Sequence, residues 1–268
     1  MHTNLYHELN LRPETTATPL ESGDLLHKIY EQYYLGVKEF GKELVYDTEK
    51  FKKHLDYCIN FGSEYSINLD LTPEEVDEII KHAIENLTFW RMDGIEVHEV
   101  EKAFLVPLWS DGDFKLFYSG KIDLIATFPD LGKVVIDHKS FRRSSSPDPL
   151  SNQFTGYSSV AGIKTVVINK VGFQKTLKPE QRFIRPVIYY TDDQLNRWIE
   201  NVVWWARQYL TIKESGVWPE NRTSCDKYNG CIFHRICNSG TDESREWIMQ
   251  SAFKIGEPWD VTKGLGNQ

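Results

Sequence analysis

The sequence predicts an α/β fold, a central mixed sheet flanked by helices. Three observations lead to it: helical periodicity in the first third, short apolar stretches broken by turns in the middle, and one long amphipathic helix after them. Helices, then a sheet, then helices again place the chemistry at the sheet.

The first third is helical because its apolar residues recur at spacings of three and four. Pro19–Leu35 is the first predicted helix, and Gly36 stands where a C-cap would end it. Glu43–Ile59 is a second. Thr72-Pro-Glu-Glu75 is a capping box with proline at the first helical position, so a third helix is expected from there.

Residues 95–140 predict an antiparallel meander, because apolar stretches alternate with Asp-Gly and Pro-Asp-Leu-Gly turns. A capping box of Thr191 and Gln194 begins the long helix that follows. The remaining predicted elements are a helix over Pro149–Ala161, strands over Thr165–Val171 and Phe183–Tyr190, and the long helix over Thr191–Lys213.

The 268 residues are 40% hydrophobic and 26% charged, which is typical of a globular protein and excludes a disordered one. No apolar run approaches the ~20 residues that span a bilayer, and the N-terminus lacks an apolar signal region. We expect a cytoplasmic protein without membrane association. We expect one domain over 1–268, with a helical part at about 14–92, a catalytic sheet at about 95–190 and a C-terminal cysteine segment at about 191–240.

The net charge of −8 argues against a protein that coats nucleic acid with its whole surface. The charge is uneven, however: residues 133–185 hold ten Lys and Arg against three acids, a net +7, and leave −15 for the remainder. Such a basic segment is either a phosphate-binding face or an ordinary solvated surface.

The most informative stretch is a predicted hairpin that turns at Pro129–Gly132. Asp137 and Lys139 share one face of the second strand, and folding the hairpin brings Asp123 within about one residue of facing Asp137. Carboxylates bind Mg²⁺ or Mn²⁺, and a nearby ammonium can hold a water and offset negative charge. The same groups could also form a surface salt-bridge cluster.

Two helical motifs flank this hairpin. Gln153 and Tyr157 follow it at a spacing of four, which places them on one helix face. Upstream, Gly23, His27 and Glu31 are also four apart, and a neutral imidazole is a suitable Mn²⁺ ligand. Taken singly, the histidine could be a packing residue and the Gln/Tyr pair a surface hydrogen bond.

The order of these motifs resembles the RecB-like branch of the PD-(D/E)XK nuclease superfamily over most of the chain, and is similar to its phage-encoded and CRISPR-associated exonucleases. Members carry an acid on one strand, acid-X-Lys on the next, then Q-X3-Y, with G-X3-H-X3-E upstream; Asp137 stands where many have glutamate. The resemblance implies a restriction-endonuclease-like core and Mg²⁺ or Mn²⁺ held by His27, Asp123 and Asp137.

The resemblance also implies roles for other residues. The Ile136 carbonyl would be a further metal ligand, and Lys139 would position and activate the attacking water. Gln153 and Tyr157 would orient the lysine or the strand end. Contacts to DNA phosphates would come from Arg142, Arg143 and Lys164, which predicts little base specificity.

Three cysteines, Cys225, Cys231 and Cys237, lie within thirteen residues near the C-terminus. Iron–sulfur members of the branch hold a [4Fe–4S] cluster with three such cysteines and one near the N-terminus, but no cysteine precedes Cys58 here. Either the chain starts late, or Cys58, His234 or another group is the fourth ligand, or no cluster forms. A zinc site and plain buried thiols are the alternatives.

We therefore expect a metal-dependent DNA nuclease, an exonuclease in recombination, repair or phage or CRISPR processing. The alternatives are a nuclease-like DNA-binding module that has lost catalysis and a small-molecule metal hydrolase. The intact pair of acids with its lysine counts against the first, and the basic segment with the Gln/Tyr pair counts against the second.

Overall fold

A computed structural model of the chain describes residues 3–13, 18–141, 148–174, 176–220, 223, 225, 230–257 and 260. The described residues form two compact units. One lies within 18–202, and the other combines 3–13 with the described part of 203–260. Among the described helices, none has the length and apolar character needed to cross a membrane.

The first unit begins with four helices. Asp47, whose side chain accepts hydrogen bonds from the backbone N–H groups of Glu49 and Lys50, caps the third of them. The capping box at Thr72 and Glu75 is confirmed and begins the fourth. The helices are α1 (Thr18–Phe40), α2 (Lys42–Tyr46), α3 (Thr48–Ser66) and α4 (Pro73–Phe89).

Two predicted boundaries among these helices were wrong. α1 does not end at Gly36 but continues to Phe40; a Cβ at Gly36 would lie 2.3 Å from the ring of His54 on α3. The glycine therefore permits close approach of two helices and is not a C-cap. The single helix predicted over Glu43–Ile59 is broken at Asp47, because a side chain that caps a helix start favours a new helix there.

A six-stranded mixed sheet follows. Five of its strands are hydrogen-bonded side by side in chain order, and the sixth also pairs with the fourth. The predicted meander is confirmed as β2 (Glu96–Asp111), β3 (Phe114–Phe128) and β4 (Gly132–Phe141), all antiparallel. α5 (Asn152–Ala161) connects β4 to the parallel strand β5 (Thr165–Gly172). α6 (Pro179–Arg182), β6 (Phe183–Ile184), β7 (Val187–Tyr189) and α7 (Asp192–Ser215) complete this region. The predicted fold class, a mixed sheet flanked by helices, is confirmed.

Apolar side chains pack on both faces of the sheet, which explains the unbroken apolar runs in β4 and β5. On one face Val134 and Ile136 join a core built with α1 to α4. On the other face Val135 joins a core with Phe154 and Tyr157 of α5. The polar residues at the ends of these strands are thereby held between two rigid layers.

The second unit has a small core of its own. β1 (Leu11–Pro13) pairs antiparallel with β8 (Phe253–Ile255), a pairing between residues about 240 apart that the sequence did not predict. α8 (His234–Cys237) and α9 (Asp242–Ala252) belong to this unit. Leu5, Leu11, Phe233 and Ile236 are its buried residues.

Candidate active site

The site lies where β3 and β4 stop pairing. Their ladder ends at Leu124 and Ile136, beyond which β3 pairs only with β2 and β4 only with β5. Asp123 and Asp137 are the next residues on each strand, so the hairpin register brings the two acids to the same fork. The backbone N–H of His138 donates to Asp123 Oδ2 at 2.8 Å, which fixes that carboxylate against β4.

Asp137 is completely buried, yet one of its oxygens lacks a proper donor. Lys139 Nζ donates to Oδ1 at 3.2 Å and Gln153 Nε2 donates to the same atom at 3.0 Å. Lys139 Nζ also forms an ion pair with Oδ2 at 3.0 Å, but no described residue donates a hydrogen bond to Oδ2. A buried carboxylate oxygen that accepts no hydrogen bond is a suitable ligand for a cation.

A second group of ligand atoms adjoins Asp123. His27 Nδ1, on α1, lies 3.4 Å from Asp123 Oδ2 and 3.9 Å from Glu101 Oε1. Among the described residues, His27, Glu101 and Asp123 are the group of histidine, cysteine and acidic side chains whose ligand atoms all lie within 4.8 Å of one another. Asp137 lies outside this group. The residues therefore fit a divalent cation, since carboxylate oxygen and imidazole nitrogen are its usual ligands.

Glu101 is the site residue that the sequence analysis missed. The neighbouring pairs Val100–Leu124 and Lys102–Ile122 place it opposite Asp123, and its φ of 49° is the left-handed conformation that non-glycine residues rarely adopt. Its other oxygen pairs with Lys121 Nζ. An acid within the meander predicted over residues 95–140 was the available signal, but only the register of β2 on β3 shows what it faces.

The acidic side chains of the site and His27 shift one another's pKa values. Burial raises the pKa of Asp123, and the neighbouring Asp137 raises it further; burial also raises the pKa of Asp137, although Lys139 opposes this. Burial alone would lower the pKa of His27, but Glu101, Asp123 and Asp137 outweigh it and raise that pKa. A bound cation would favour the ionised form of all three acids.

The Gln/Tyr pair lies beside Asp137, as its helical spacing allows. Gln153 Nε2 contacts both Asp137 Oδ1 and the hydroxyl of Tyr157, the latter at 3.1 Å. Burial raises the pKa of Tyr157, which keeps the phenol neutral. Ile136, whose carbonyl was predicted as a metal ligand, is fully buried at the last β3–β4 pair.

The side chain of His138 lies on the α1 side of β4, edge-on to His27 with ring centroids 6.0 Å apart. It stacks on Tyr34 with ring centroids 5.5 Å apart, and its Nδ1 accepts from Asn169 Nδ2 at 3.0 Å. Burial lowers the pKa of His138 well below its ordinary value. The imidazole is therefore neutral, which is consistent with a ring nitrogen that accepts a hydrogen bond.

Asn169 connects His138 to further buried groups. Its amide donates to Asn86 Oδ1 at 3.1 Å, and its carbonyl oxygen accepts from Arg185 Nε at 3.0 Å. Arg185 in turn pairs with Asp93. The histidine between the two predicted catalytic residues of β4 thus belongs to a buried hydrogen-bonded network, which we call the rear network: His138, Asn169, Asn86, Arg185 and Asp93.

The basic segment is less available to phosphates than its charge suggests. Arg185 is buried with Asp93, Arg182 pairs with Glu85, and Lys170 is buried against Phe141. Lys164 is exposed and pairs with Asp192 across 2.6 Å. The predicted phosphate contacts Arg142 and Arg143 lie outside the described residues.

The C-terminal cysteines belong to the second unit. The backbone N–H of Cys231 donates to the Cys225 carbonyl at 2.7 Å, and Cys237 ends α8. Burial raises the pKa of Cys237, and Glu220, Cys231 and Cys225 raise it further. The sulfur atoms of the three cysteines are not all within 4.8 Å of each other, unlike the described ligand group around His27.

Cys58 and His234 are the two side chains named above as a fourth ligand of the cysteines. Cys58 is completely buried on α3 in the first unit, where burial raises its pKa to about 12. His234 is exposed at the start of α8.

Comparison with known proteins identifies the family of the chain. A sequence model of the PD-(D/E)XK nuclease superfamily matches residues 4–238, and the chain belongs to that superfamily. No curated protein matches significantly. The crystal structure of SSO0001 is 15% identical, with a TM-score of 0.36 over 82% of this chain and 85% of that one, a similarity too low to support any argument.

Proposed function

We propose that this protein is a metal-dependent DNA exonuclease that hydrolyses phosphodiester bonds at the β3–β4 fork. The observation that carries the proposal is Asp137: a buried carboxylate with an oxygen lacking a proper donor, beside Lys139 and next to the His27, Glu101 and Asp123 group. Membership of a nuclease superfamily supports the same chemistry.

His27, Glu101, Asp123 and Asp137 would hold Mg²⁺ or Mn²⁺, which supplies Lewis-acid stabilisation of the phosphate and a more acidic water. Lys139 holds the attacking water and offsets the negative charge that develops on the phosphate. Gln153 and Tyr157 restrain Asp137 and the lysine beside it. The rear network keeps the His138 peptide in place, and that peptide positions Asp123.

The test is incubation of linear and circular DNA, in single- and double-stranded forms, with Mg²⁺, Mn²⁺ or EDTA. We expect cleavage that requires metal and a free end, and its loss in Asp123→Ala and Lys139→Ala. Asp130→Ala, at an exposed position in the turn of the same hairpin, is the matched control and should retain activity. Wild-type rates in both site variants would place the activity elsewhere, and cleavage of circular DNA would make the enzyme an endonuclease.

We further propose that Cys225, Cys231 and Cys237 bind a [4Fe–4S] cluster, with a fourth ligand still unassigned. The support for this proposal is the sequence: three cysteines lie within thirteen residues, and their spacing of six suits a zinc site poorly. Anaerobically purified protein should contain iron and labile sulfide, and serine at any of the three positions should lower both. Zinc without iron, or freely alkylated thiols without metal, would overturn this proposal.

A further inference from the structure

The β2–β3 hairpin extends well beyond the rest of the sheet. β3 pairs with β4 only over residues 124–128, whereas its pairing with β2 continues to Phe114. Residues 103–121 therefore form a two-stranded segment, which we call the ribbon. A ribbon of two strands is marginally stable unless one face packs against another element.

One face of the ribbon is packed. Phe104 contacts Tyr157 of α5 edge-on, with ring centroids 6.1 Å apart, and Tyr118 contacts Trp198 of α7 at 5.2 Å. Phe104 also lies against Gly120, whose missing side chain leaves room for the ring. These contacts hold the ribbon in a fixed position relative to the candidate site.

The opposite face is apolar and open. Leu105 is 42% exposed, and Phe117, directly across the ribbon from the exposed Pro107, is 53% exposed. Adjacent exposed apolar side chains on a rigid element indicate a binding surface.

This open face leads to the candidate site. Side chains alternate along β3, so Phe117, Ser119 and Lys121 share one side of the ribbon. Lys121 contacts Glu101 of the candidate site directly. Six residues of strand separate Phe117 from Asp123, a distance of about 20 Å. That is the length of about six nucleotides at the 3.4 Å spacing of a stacked strand.

We propose that the open face of the ribbon binds single-stranded DNA by stacking bases on Phe117, and so guides a strand to the site; this rests on the proposed nuclease function. An exposed aromatic ring can stack on the flat face of any unpaired base. In duplex DNA the bases are already stacked on one another, so their faces are not available to the ring. The partner is a nucleic acid strand whose bases are exposed, not a second copy of this chain.

The test is a binding cycle in EDTA, in which no cleavage is needed for a readout. A fluorescein-labelled 30-nucleotide single strand and an abasic strand of equal length are titrated with wild type, Phe117→Ala and Phe117→Trp. We expect Phe117→Ala to weaken binding of the normal strand at least about five-fold and to leave the abasic strand unaffected. Phe117→Trp should restore binding, and the control Phe40→Ala, equally exposed on α1, should change nothing.

Several results would overturn the inference. Equal affinity of Phe117→Ala and wild type, equal losses with the abasic strand, or a shift in monomer–dimer equilibrium without a change in DNA affinity would each do so. Hydrolysis of a small phosphodiester such as bis(p-nitrophenyl) phosphate reports on the metal site alone, and Phe117→Ala should leave it unchanged. If wild type hydrolyses no phosphodiester, the proposed function fails, while the binding cycle still decides the role of the ribbon.

Discussion

Buried polar groups on the two sides of β4 differ in how completely they are hydrogen-bonded. We call the side of His138 the rear side and the side of Asp137 the front side. On the rear side, His138 and Asn169 are neutral, buried and hydrogen-bonded to their neighbours. On the front side, Asp137 is equally buried but has an oxygen that accepts no hydrogen bond from a described residue and is paired only with Lys139. Next to it, Asp123 and Glu101 both lie against His27, whose ring also lies edge-on to that of His138. The rear side provides rigidity, whereas the front side retains negative charge that a cation can neutralise. Substitutions on the two sides should therefore have different consequences.

The largest effect should come from Asp137→Asn. The amide keeps an acceptor for Gln153 but lacks the negative charge that attracts a cation, so nuclease activity should fall about a thousand-fold or more. Metal-free stability should hold or rise, because a buried charge without full compensation is removed. DNA cleavage assays and urea unfolding in EDTA measure the two quantities. A large loss of stability would show that Asp137 is a structural residue.

The next largest effect should come from the histidine group. His27→Ala and Glu101→Gln should each weaken Mn²⁺ binding about ten-fold or more, because each removes one of few protein ligands. Calorimetric titration with Mn²⁺ measures the affinity. A variant that loses stability but keeps wild-type Mn²⁺ affinity would identify that side chain as packing only.

Asn169→Ala tests the rear side. Removing this amide leaves Arg185 Nε and His138 Nδ1 without their partner, which should lower the free energy of unfolding by about 1–3 kcal/mol. Residual activity should persist, because no ligand is removed. Complete loss of cleavage by a stably folded Asn169→Ala would contradict the division between the two sides.

The smallest effect should be the pH dependence of metal-free stability. Because burial raises the pKa of Asp123 and Asp137, the folded state binds protons more tightly than the unfolded state. The resulting contribution to the free energy of unfolding is fully present below the pKa of an aspartate in the unfolded chain, about 3.9. It is lost as pH rises through the pKa of the folded state. Asp137→Asn should therefore gain stability relative to wild type between pH 4 and pH 8, as measured by urea unfolding in EDTA. Comparing the two proteins cancels the opposite contribution of the buried His138, whose pKa is lowered.

Local signals made much of this fold readable from the sequence. The capping boxes at Thr72 and Thr191, the turn at Pro129–Gly132 and the Gln153–Tyr157 spacing all depend on residues a few positions apart. Asp123 and Asp137 belong to one hairpin with a short turn, and for the same reason their proximity could be predicted from the sequence.

Features that depend on distant parts of the chain were not readable. Gly36 resembles a helix C-cap in the sequence, and only the packing of α3 against α1 shows why a glycine is needed there. Glu101 lies opposite Asp123 only because of the register of β2 on β3. The contact of Asn169 with Asn86 and the pairing of β1 with β8 join residues far apart in sequence. These contacts form through tertiary packing, so the local propensities of the residues do not predict them.

The most direct test of the account is Mn²⁺ titration of wild type and Asp123→Asn at pH 6.5, by calorimetry in two buffers of different ionisation enthalpy. Acids with a raised pKa must lose protons to bind metal, so wild-type binding should release protons. Asp123→Asn should bind Mn²⁺ much more weakly and release fewer. Equal Mn²⁺ affinity in the two proteins, or binding by wild type without proton release, would contradict the claim that the front side of β4 is a cation site.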